Sequence, residues 1–189
     1  MKYLIAGLGN VGREYDNTRH NIGFMVLDAF AKASGVVFTT HRYGDVAEVS
    51  FKGRNFVLLK PSTYMNLSGN AVNYRLQIEK IEKINLLVVV DDVALPFGVL
   101  RMRGKGSDGG HNGLRHISRI LGGDDFARLR FGIGNDFPQG YQAEYVLSKW
   151  DKKELSELEP FIEKAVEAVK SFGTIGLERT MNLFNTKEK

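Results

Sequence analysis

Runs of apolar residues alternate along this chain with stretches in which apolar residues recur at every third or fourth position. The first pattern is typical of strands and the second of helices that bury one face. The strands predicted in this way are Lys2 to Leu8, Asp45 to Phe51, Asn55 to Leu59, Leu86 to Val90, Gly98 to Arg103 and Ala127 to Ile133. The predicted helices are Asn21 to Ala33, Ser68 to Ile81, Asn112 to Leu121, Leu155 to Phe172 and Leu177 to Phe184.

The order of these elements predicts the fold class. Leu86 to Val90 is uninterrupted and rich in valine, as in a central strand that is covered on both faces. Lys52-Gly53 predicts the turn of a hairpin. Strands interleaved with helices indicate an α/β fold with a mixed, mostly parallel sheet and helices on both faces. Because no linker rich in Ser, Gly or Pro divides the 189 residues, we expect one domain over residues 1–189.

Composition excludes several classes of protein. The chain contains no cysteine, so neither disulfide bonds nor thiolate catalysis is available to it. The first apolar run reaches Gly7 too soon for the apolar core of a signal peptide, and no stretch approaches the roughly 20 apolar residues of a membrane span. We therefore expect a cytoplasmic protein with no membrane partner.

Charge is concentrated in one part of the chain. The formal net charge is +4, and the stretch from Arg101 to Arg130 carries seven basic and three acidic residues, so this stretch holds all of it. A basic region of this kind is typical of a protein that binds a polyanion. The alternative, a merely solvated basic face, is left open by charge alone.

A glycine motif, Gly7 to Gly12, follows the first predicted strand and fits the G-x-G-x-x-G pattern of dinucleotide-binding proteins. That fingerprint requires an apolar helix to open within the motif. The polar segment Arg13 to His20 follows here instead. We therefore favour a sharp turn that exposes Asn10 at the carboxyl end of the first strand.

One histidine and one aspartate are candidates for acid–base chemistry. His20 lies in the loop after the first strand, and Asp91 ends the strand of Leu86 to Val90. Carboxyl ends of strands in α/β folds are where ligands bind. Asp91 could accept the Nδ1–H of His20 and leave its Nε2 free to take a proton from water. The plainer alternatives are a solvated histidine and an aspartate that caps a turn; His41 and His116 are predicted to be surface residues.

Two further polar segments precede predicted helices. Gly109 to Gly113 offers backbone N–H groups at a helix start, where an oxyanion or a phosphate can bind. Pro61 to Gly69 offers two apolar side chains and one amide. The expected helix caps are Thr18 or Asn21, Ser68 and Asn112. The chain has no G-x-S-x-G motif and no H-E-x-x-H motif, so we expect neither a serine nucleophile nor a metal.

Seven segments in this order closely resemble the bacterial-type peptidyl-tRNA hydrolase family, nearly from end to end. They are Gly7-Leu8-Gly9-Asn10, Tyr15 with Thr18-Arg19-His20-Asn21, Tyr64-Met65-Asn66-Leu67-Ser68-Gly69, Asp91-Asp92 with Leu95-Pro96, Gly109-Gly110-His111-Asn112-Gly113-Leu114, Arg128-Leu129-Arg130-Phe131-Gly132-Ile133-Gly134, and Met181-Asn182-Leu183-Phe184-Asn185. Two positions depart from the family pattern. Val11 stands where proline is usual, and Ala94 stands where aspartate is common, which affects loop stiffness and cleft polarity only.

The resemblance implies a monomer that needs no cofactor and cleaves the ester between a peptide and the 3′ end of tRNA, recycling peptidyl-tRNA released too early from ribosomes. It implies that His20 is the catalytic base and that Asp91 orients it. The substrate-binding residues that it implies are Asn10, Tyr15, Tyr64, Met65, Asn66, His111 and Asn112. Arg103 and Arg130 fall where the family holds the 5′ phosphate of tRNA, a task that suits the guanidinium fork.

The residues themselves predict only a hydrolase that activates water beside a basic groove, and the resemblance supplies its substrate. An RNA-binding module of the same fold without hydrolytic activity is the main alternative, although it should have lost the His–Asp–Asn set that this chain keeps. A dinucleotide-dependent enzyme is the third.

Overall fold

The sheet at the centre of the molecule has seven strands in the order β2-β3-β4-β1-β5-β7-β6. This is a computed structural model that describes residues 1–185. The strands are β1 (Lys2–Gly7), β2 (Thr39–His41), β3 (Gly44–Phe51), β4 (Arg54–Pro61), β5 (Leu86–Asp92), β6 (Leu100–Arg103) and β7 (Ala127–Gly132). The helices are α1 (Ile22–Ala33), α2 (Ser68–Glu79), α3 (Asn112–Leu121), α4 (Gln142–Val146), α5 (Lys152–Ile175) and α6 (Leu177–Phe184).

The middle of the sheet is parallel and its edges are antiparallel. Strands β4, β1, β5 and β7 run in the same direction, whereas β2, β3 and β6 join through antiparallel pairs. The β3–β4 hairpin turns at Lys52 and Gly53, both with positive φ, as a tight hairpin turn requires. The predicted mixed, mostly parallel sheet is therefore confirmed.

Two apolar cores cover the two faces of the sheet. Residues of α1 and α5 pack on one face and residues of α2 and α3 on the other. Strand β5 contributes Leu87 and Val89 to the first core and Val88 and Val90 to the second. Its unbroken apolar run follows from burial on both sides. The predicted helices on both faces are confirmed. The predicted domain limits of 1–189 remain a prediction, because residues 186–189 lie outside the described part.

The polar residues that precede the helices do not serve as the predicted caps. Asn21 holds the N-cap position of α1, but its side chain makes no capping bond. The N-cap of α2 is Leu67, while Ser68 Oγ donates to the carbonyl of Met65. The cap of α3 is His111 rather than Asn112. The side chain of Asn21 bonds to the backbone of Asn10 instead, and that of Ser68 to a carbonyl three residues back.

Three local features were not predicted correctly. The strand β2, of three residues, and the helix α4, of five residues, were not predicted, because both are too short to show a period. His116 is not simply a surface residue, because its half-buried Nδ1 accepts the N–H of Gly69 at 2.9 Å and joins α3 to the start of α2. No helix within residues 1–185 is long and apolar enough to cross a membrane.

Candidate active site

The loop after β1 carries His20 to the carboxyl end of β5, where Asp91 lies. Nδ1 of His20 lies 2.9 Å from each carboxylate oxygen of Asp91. The Asp91 side chain is 3% exposed and the His20 side chain 12% exposed. A buried acceptor on Nδ1 favours the neutral tautomer that carries its proton there, so the Nε2 lone pair is left for another partner.

His111 is the second imidazole on the same carboxylate. Its Nε2 lies 2.9 Å from Asp91 Oδ1. Its Nδ1 accepts the backbone N–H groups of Gly113 and Leu114 at 3.1 and 3.3 Å, which caps α3. A nitrogen that accepts two N–H groups carries no proton, so Nε2 carries it and donates to Asp91. The two histidine rings stand 5.0 Å apart between centroids.

The pKa values of Asp91 and His20 shift in opposite directions because the two groups stabilise each other's charge. Burial acts to raise the pKa of Asp91, but attraction and hydrogen bonds from His20 and His111 hold that pKa well below the usual range. Burial acts to lower the pKa of His20, but the charge and hydrogen bond of Asp91 prevail and raise it above the ordinary 6.5. Asp91 is therefore a carboxylate throughout the neutral range, and it makes His20 hold a proton more tightly than a free imidazole does.

Asn21 fixes Asn10 by both ends of its amide. Oδ1 of Asn21 accepts the N–H of Asn10 at 2.8 Å, and its Nδ2 donates to the Asn10 carbonyl at 2.9 Å. Oδ1 of Asn10 in turn accepts the N–H of Met65 at 3.1 Å. The loop after β1 is thereby joined to the loop after β4, and sequence reasoning missed this use of Asn21.

A cleft of about 630 Å³ opens at this end of the sheet. The predicted site residues that line it are Asn10, His20, Tyr64, Met65, Asn66, Asp91, His111, Asn112 and Arg130. Four residues at and just after α4 complete one wall: Gln142, Ala143, Val146 and Leu147. The three predicted amides therefore converge on one cleft although they come from three loops, and their chemical roles stay predictions.

The predicted site residues Tyr15 and Arg103 lie elsewhere. Tyr15 ends a single 3-10 turn, where its carbonyl accepts the N–H and the hydroxyl of Thr18, and it is not among the residues that line the cleft. Arg103 is exposed at the end of β6, also outside the lining. Tyr15 is half-buried, and its expected role in binding the substrate stays a prediction.

Arginines occupy one face of the β6–β7 pair. Arg101 pairs with Arg130 and Arg103 with Arg128, whereas the intervening Met102 and Leu129 belong to the core on the other face. Opposite residues of an antiparallel pair share a face. The fully buried Arg128 donates to the carbonyls of Gly106, Asp124 and Phe126, so it shapes the loop before α3.

Arg130 is the arginine of this face that lines the cleft. Its Nη2 donates to the carbonyl of Ser107 at 2.6 Å, and its Nη1 lies 3.6 Å from Asp92 Oδ2. Its side chain is 15% exposed. Arg101, its direct cross-strand neighbour, is a candidate that the sequence pattern did not single out.

A metal site at the two histidines is disfavoured by their hydrogen bonds. His20, Asp91 and His111 offer three ligand atoms within 4.8 Å of one another. A metal on His111 would need the Nε2 lone pair, but the two N–H groups at Nδ1 keep the proton on Nε2. The trio is better suited to orienting one imidazole than to holding a cation.

The glycine motif after β1 also lacks the geometry of a dinucleotide site. Gly12 has φ of 117° and leads into the 3-10 turn Arg13–Tyr15. Helix α1 begins only at Ile22, so its N-terminus does not follow the glycines directly. A carboxylate-held histidine among amides in an open cleft instead suits an enzyme that uses water to cleave an acyl bond.

Comparison with known proteins agrees with this class and is more specific. The chain belongs to the peptidyl-tRNA hydrolase family, whose model matches residues 4–189. The peptidyl-tRNA hydrolase of Phocaeicola vulgatus is 60% identical over 187 residues, covering 99% of this chain and 100% of that protein. The Bacteroides fragilis protein of the same name is 58% identical over the same shares. A crystal structure of the Acinetobacter baumannii peptidyl-tRNA hydrolase superposes with a TM-score of 0.91 at 34% identity, over 98% of this chain and 95% of that one.

Proposed function

We propose that this protein hydrolyses the ester bond of peptidyl-tRNA with a water molecule that His20 activates. The chain is an enzyme of the peptidyl-tRNA hydrolase family by similarity over nearly its full length. The observation that carries the role of His20 is its Nδ1, at 2.9 Å from both oxygens of the buried Asp91. No other histidine that lines the cleft has a free ring nitrogen, since both nitrogens of His111 are hydrogen-bonded.

The reaction needs one proton carrier. Nε2 of His20 takes a proton from water as the oxygen attacks the ester carbonyl, and Asp91 stabilises the imidazolium that forms. The tetrahedral oxyanion then collapses, the bond to the ribose oxygen of tRNA breaks, and His20 returns its proton to that oxygen. The products are a free peptide carboxyl group and tRNA, and His20 is neutral again.

The amides would hold the substrate and the oxyanion. Because Oδ1 of Asn10 is engaged by Met65, the Nδ2 group of Asn10 is the end that can donate to a substrate oxygen. Asn66 and Asn112 line the same cleft and can each donate and accept. Positioned donors of this kind typically contribute about 10²-fold to 10³-fold in rate when they meet a developing oxyanion.

The basic side of the cleft would bind the tRNA. Arg130 lines the cleft, and Arg101 and Arg103 share its sheet face. Guanidinium groups bind phosphate oxygens in pairs, so this face suits the 5′ phosphate of the acceptor stem. In the structure the guanidinium of Arg130 contacts Ser107 and Asp92, and a phosphate would replace the weaker of these two contacts, the 3.6 Å pair with Asp92.

We also infer that the enzyme acts as a cytoplasmic monomer. The site is assembled from one chain, since His20, Asp91, Asn10 and Arg130 all line the same cleft. A chain without cysteine suits a reducing compartment. Sedimentation of the active protein at working concentration tests the monomer, and a dimer that alone is active would contradict it.

The direct experiment is hydrolysis of a purified N-acetylaminoacyl-tRNA by the isolated protein. We expect release of the N-acetylamino acid and intact tRNA without any added cofactor. The same preparation is assayed for tRNA binding by filter retention. Binding without turnover would instead indicate an RNA-binding module of this fold and would overturn the proposed function.

A further inference from the structure

The residue before His20 joins the candidate catalytic turn to the far wall of the cleft. Arg19 is 7% exposed. Its backbone N–H donates to the carbonyl of Ser148 at 3.0 Å, and Thr18 beside it forms an isolated bridge with Lys149. The turn that carries His20 and the segment after α4 are thus paired through their main chains.

The guanidinium group of Arg19 adds side-chain hydrogen bonds to this main-chain pairing. Nη1 donates to the hydroxyl of Ser148 at 2.5 Å and to the carbonyl of Lys149 at 2.7 Å. Nη2 donates to Glu154 Oε1 at 2.5 Å. The same group lies 4.4 Å from the centre of the Tyr145 ring. One planar cation therefore makes contacts from α4 to the first turn of α5, a span that a lysine could not reproduce.

Helix α4 depends on such contacts for its position. It has five residues, too few for a helix to be stable by itself. Tyr145 anchors it from the side by donating its hydroxyl to the carbonyl of Ile133 at 2.6 Å, under the Arg19 guanidinium. Ala143 and Val146 face the cleft from the same helix. The place of this apolar wall relative to His20 is thus set from outside α4.

We propose that Arg19 is a positioning residue that holds the α4 wall against the reacting end of the substrate. The inference rests on the proposed hydrolysis, which it deepens. Arg19 itself is buried and paired with Glu154, so it acts through α4 rather than by touching the substrate. With the wall in place, the groups next to the ester contact Ala143 and Val146 and are shielded from bulk water, while the attacking water is the one that His20 activates.

The test compares Arg19→Lys and Arg19→Gln with Tyr145→Phe, which leaves Arg19 intact and removes only the hydrogen bond to Ile133. Arg179→Gln is the matched control, since Arg179 is exposed on α6 and is not among the residues that line the cleft. Each variant is assayed on full-length peptidyl-tRNA and on a short N-acylaminoacyl ester of adenosine. Amide hydrogen exchange of residues 141–149 is followed in the same proteins.

Arg19 acts on the substrate only through α4, so we expect KM to register no more than the equivalent of one hydrogen bond to a charged group, about a tenfold change in affinity. We therefore expect KM to rise about tenfold for Arg19→Gln on both substrates, less for Arg19→Lys and Tyr145→Phe, with kcat changed less than about threefold. Exchange in residues 141–149 should quicken in the same order. The acidic limb of the pH profile should stay in place, because the His20–Asp91 pair is untouched.

Other outcomes overturn the proposal. Unchanged exchange in residues 141–149 would show that Arg19 does not hold α4, and this readout does not depend on activity. Quicker exchange with unchanged KM would show that the wall does not contact the reacting end. A fall in kcat with a moved pH limb would place the effect on His20 instead. If the unmodified protein fails to hydrolyse either substrate, the proposed function fails, whereas the exchange result still decides whether Arg19 positions α4.

Discussion

His111 donates its Nε2–H to the same Asp91 oxygen that lies 2.9 Å from Nδ1 of His20. The two imidazoles are oriented oppositely: His20 presents Nδ1 to the carboxylate, and His111 presents Nε2 and uses its Nδ1 to cap α3. One carboxylate therefore ties the candidate base to the start of a helix. The orientation of the Asp91 carboxylate is therefore set by His111 as well as by His20.

Replacing His111 by asparagine separates its two contacts. Asparagine is a good N-cap, so α3 should keep its first turn, but the shorter side chain loses the bond to Asp91. We expect kcat to fall about tenfold, the cost of one lost hydrogen bond to a charged group, with little change in KM. Steady-state kinetics on peptidyl-tRNA measures both. A raised KM with unchanged kcat would show that His111 contacts the substrate, as the family resemblance implies.

The pH dependence of the reaction should report His20. Only the neutral ring can take a proton, so kcat/KM should fall as pH drops through the pKa of His20 in the free enzyme. Asp91 raises that pKa above 6.5, so the midpoint of the acidic limb should lie above 6.5.

Asp91→Asn provides the matched variant for this limb. Loss of the charge removes what raises the pKa of His20 while burial remains, so the limb should move to lower pH. The rate on the plateau should fall as well, because an amide can hold the wrong tautomer. A profile measured from pH 5 to 9 that keeps its midpoint in Asp91→Asn would contradict the pairing as the source of the shift.

The arginines on one face of the β6–β7 pair (Arg101, Arg103 and Arg130) should affect the binding of peptidyl-tRNA and not the chemical step. Substituting Arg130 or Arg103 by alanine should raise KM for peptidyl-tRNA with little change in kcat, because contacts equal in ground and transition states are lost. Arg101→Ala should behave likewise, since Arg101 is the direct partner of Arg130 in the sheet.

Two controls, the salt dependence of binding and a short substrate, test whether these arginines bind a phosphate. Each lost phosphate contact should reduce the slope of log K against log salt by roughly one unit or slightly less. A short ester without the tRNA body should be indifferent to all three substitutions. Equal effects on the long and short substrates, or none on either, would show that these arginines do not bind a phosphate.

The sheet could be predicted from the sequence because its signals are local. Strand β5 contains the unbroken apolar run from Leu86 to Val90, and Lys52-Gly53 supplies the hairpin turn without reference to the rest of the fold. Short elements fixed from outside could not be predicted. Helix α4 has five residues and is held by Arg19 and Tyr145, which are contacts that a periodic pattern does not record.

The sequence predicted many of the residues that line the site, but not which hydrogen bonds the polar residues at the helix starts make. Asn21, Ser68 and Asn112 each lie at the start of a helix, where a cap is the expected use of such residues. Asn21 fixes Asn10 instead, and the cap of α3 passes to His111. Asn21 reaches back across the loop after β1, and His111 bonds to residues two and three ahead, so a cap rule applied to single positions missed both contacts.

The proposed mechanism requires His20 to act as the general base. Single-turnover hydrolysis of peptidyl-tRNA by the His20→Ala variant measures that role. At saturating enzyme the rate should fall by about 10²-fold to 10⁴-fold, the usual contribution of a general base. Affinity for tRNA, measured in the same preparation, should be nearly unchanged, because the arginine face is intact. A His20→Ala protein that keeps its single-turnover rate would contradict the account, whatever its affinity.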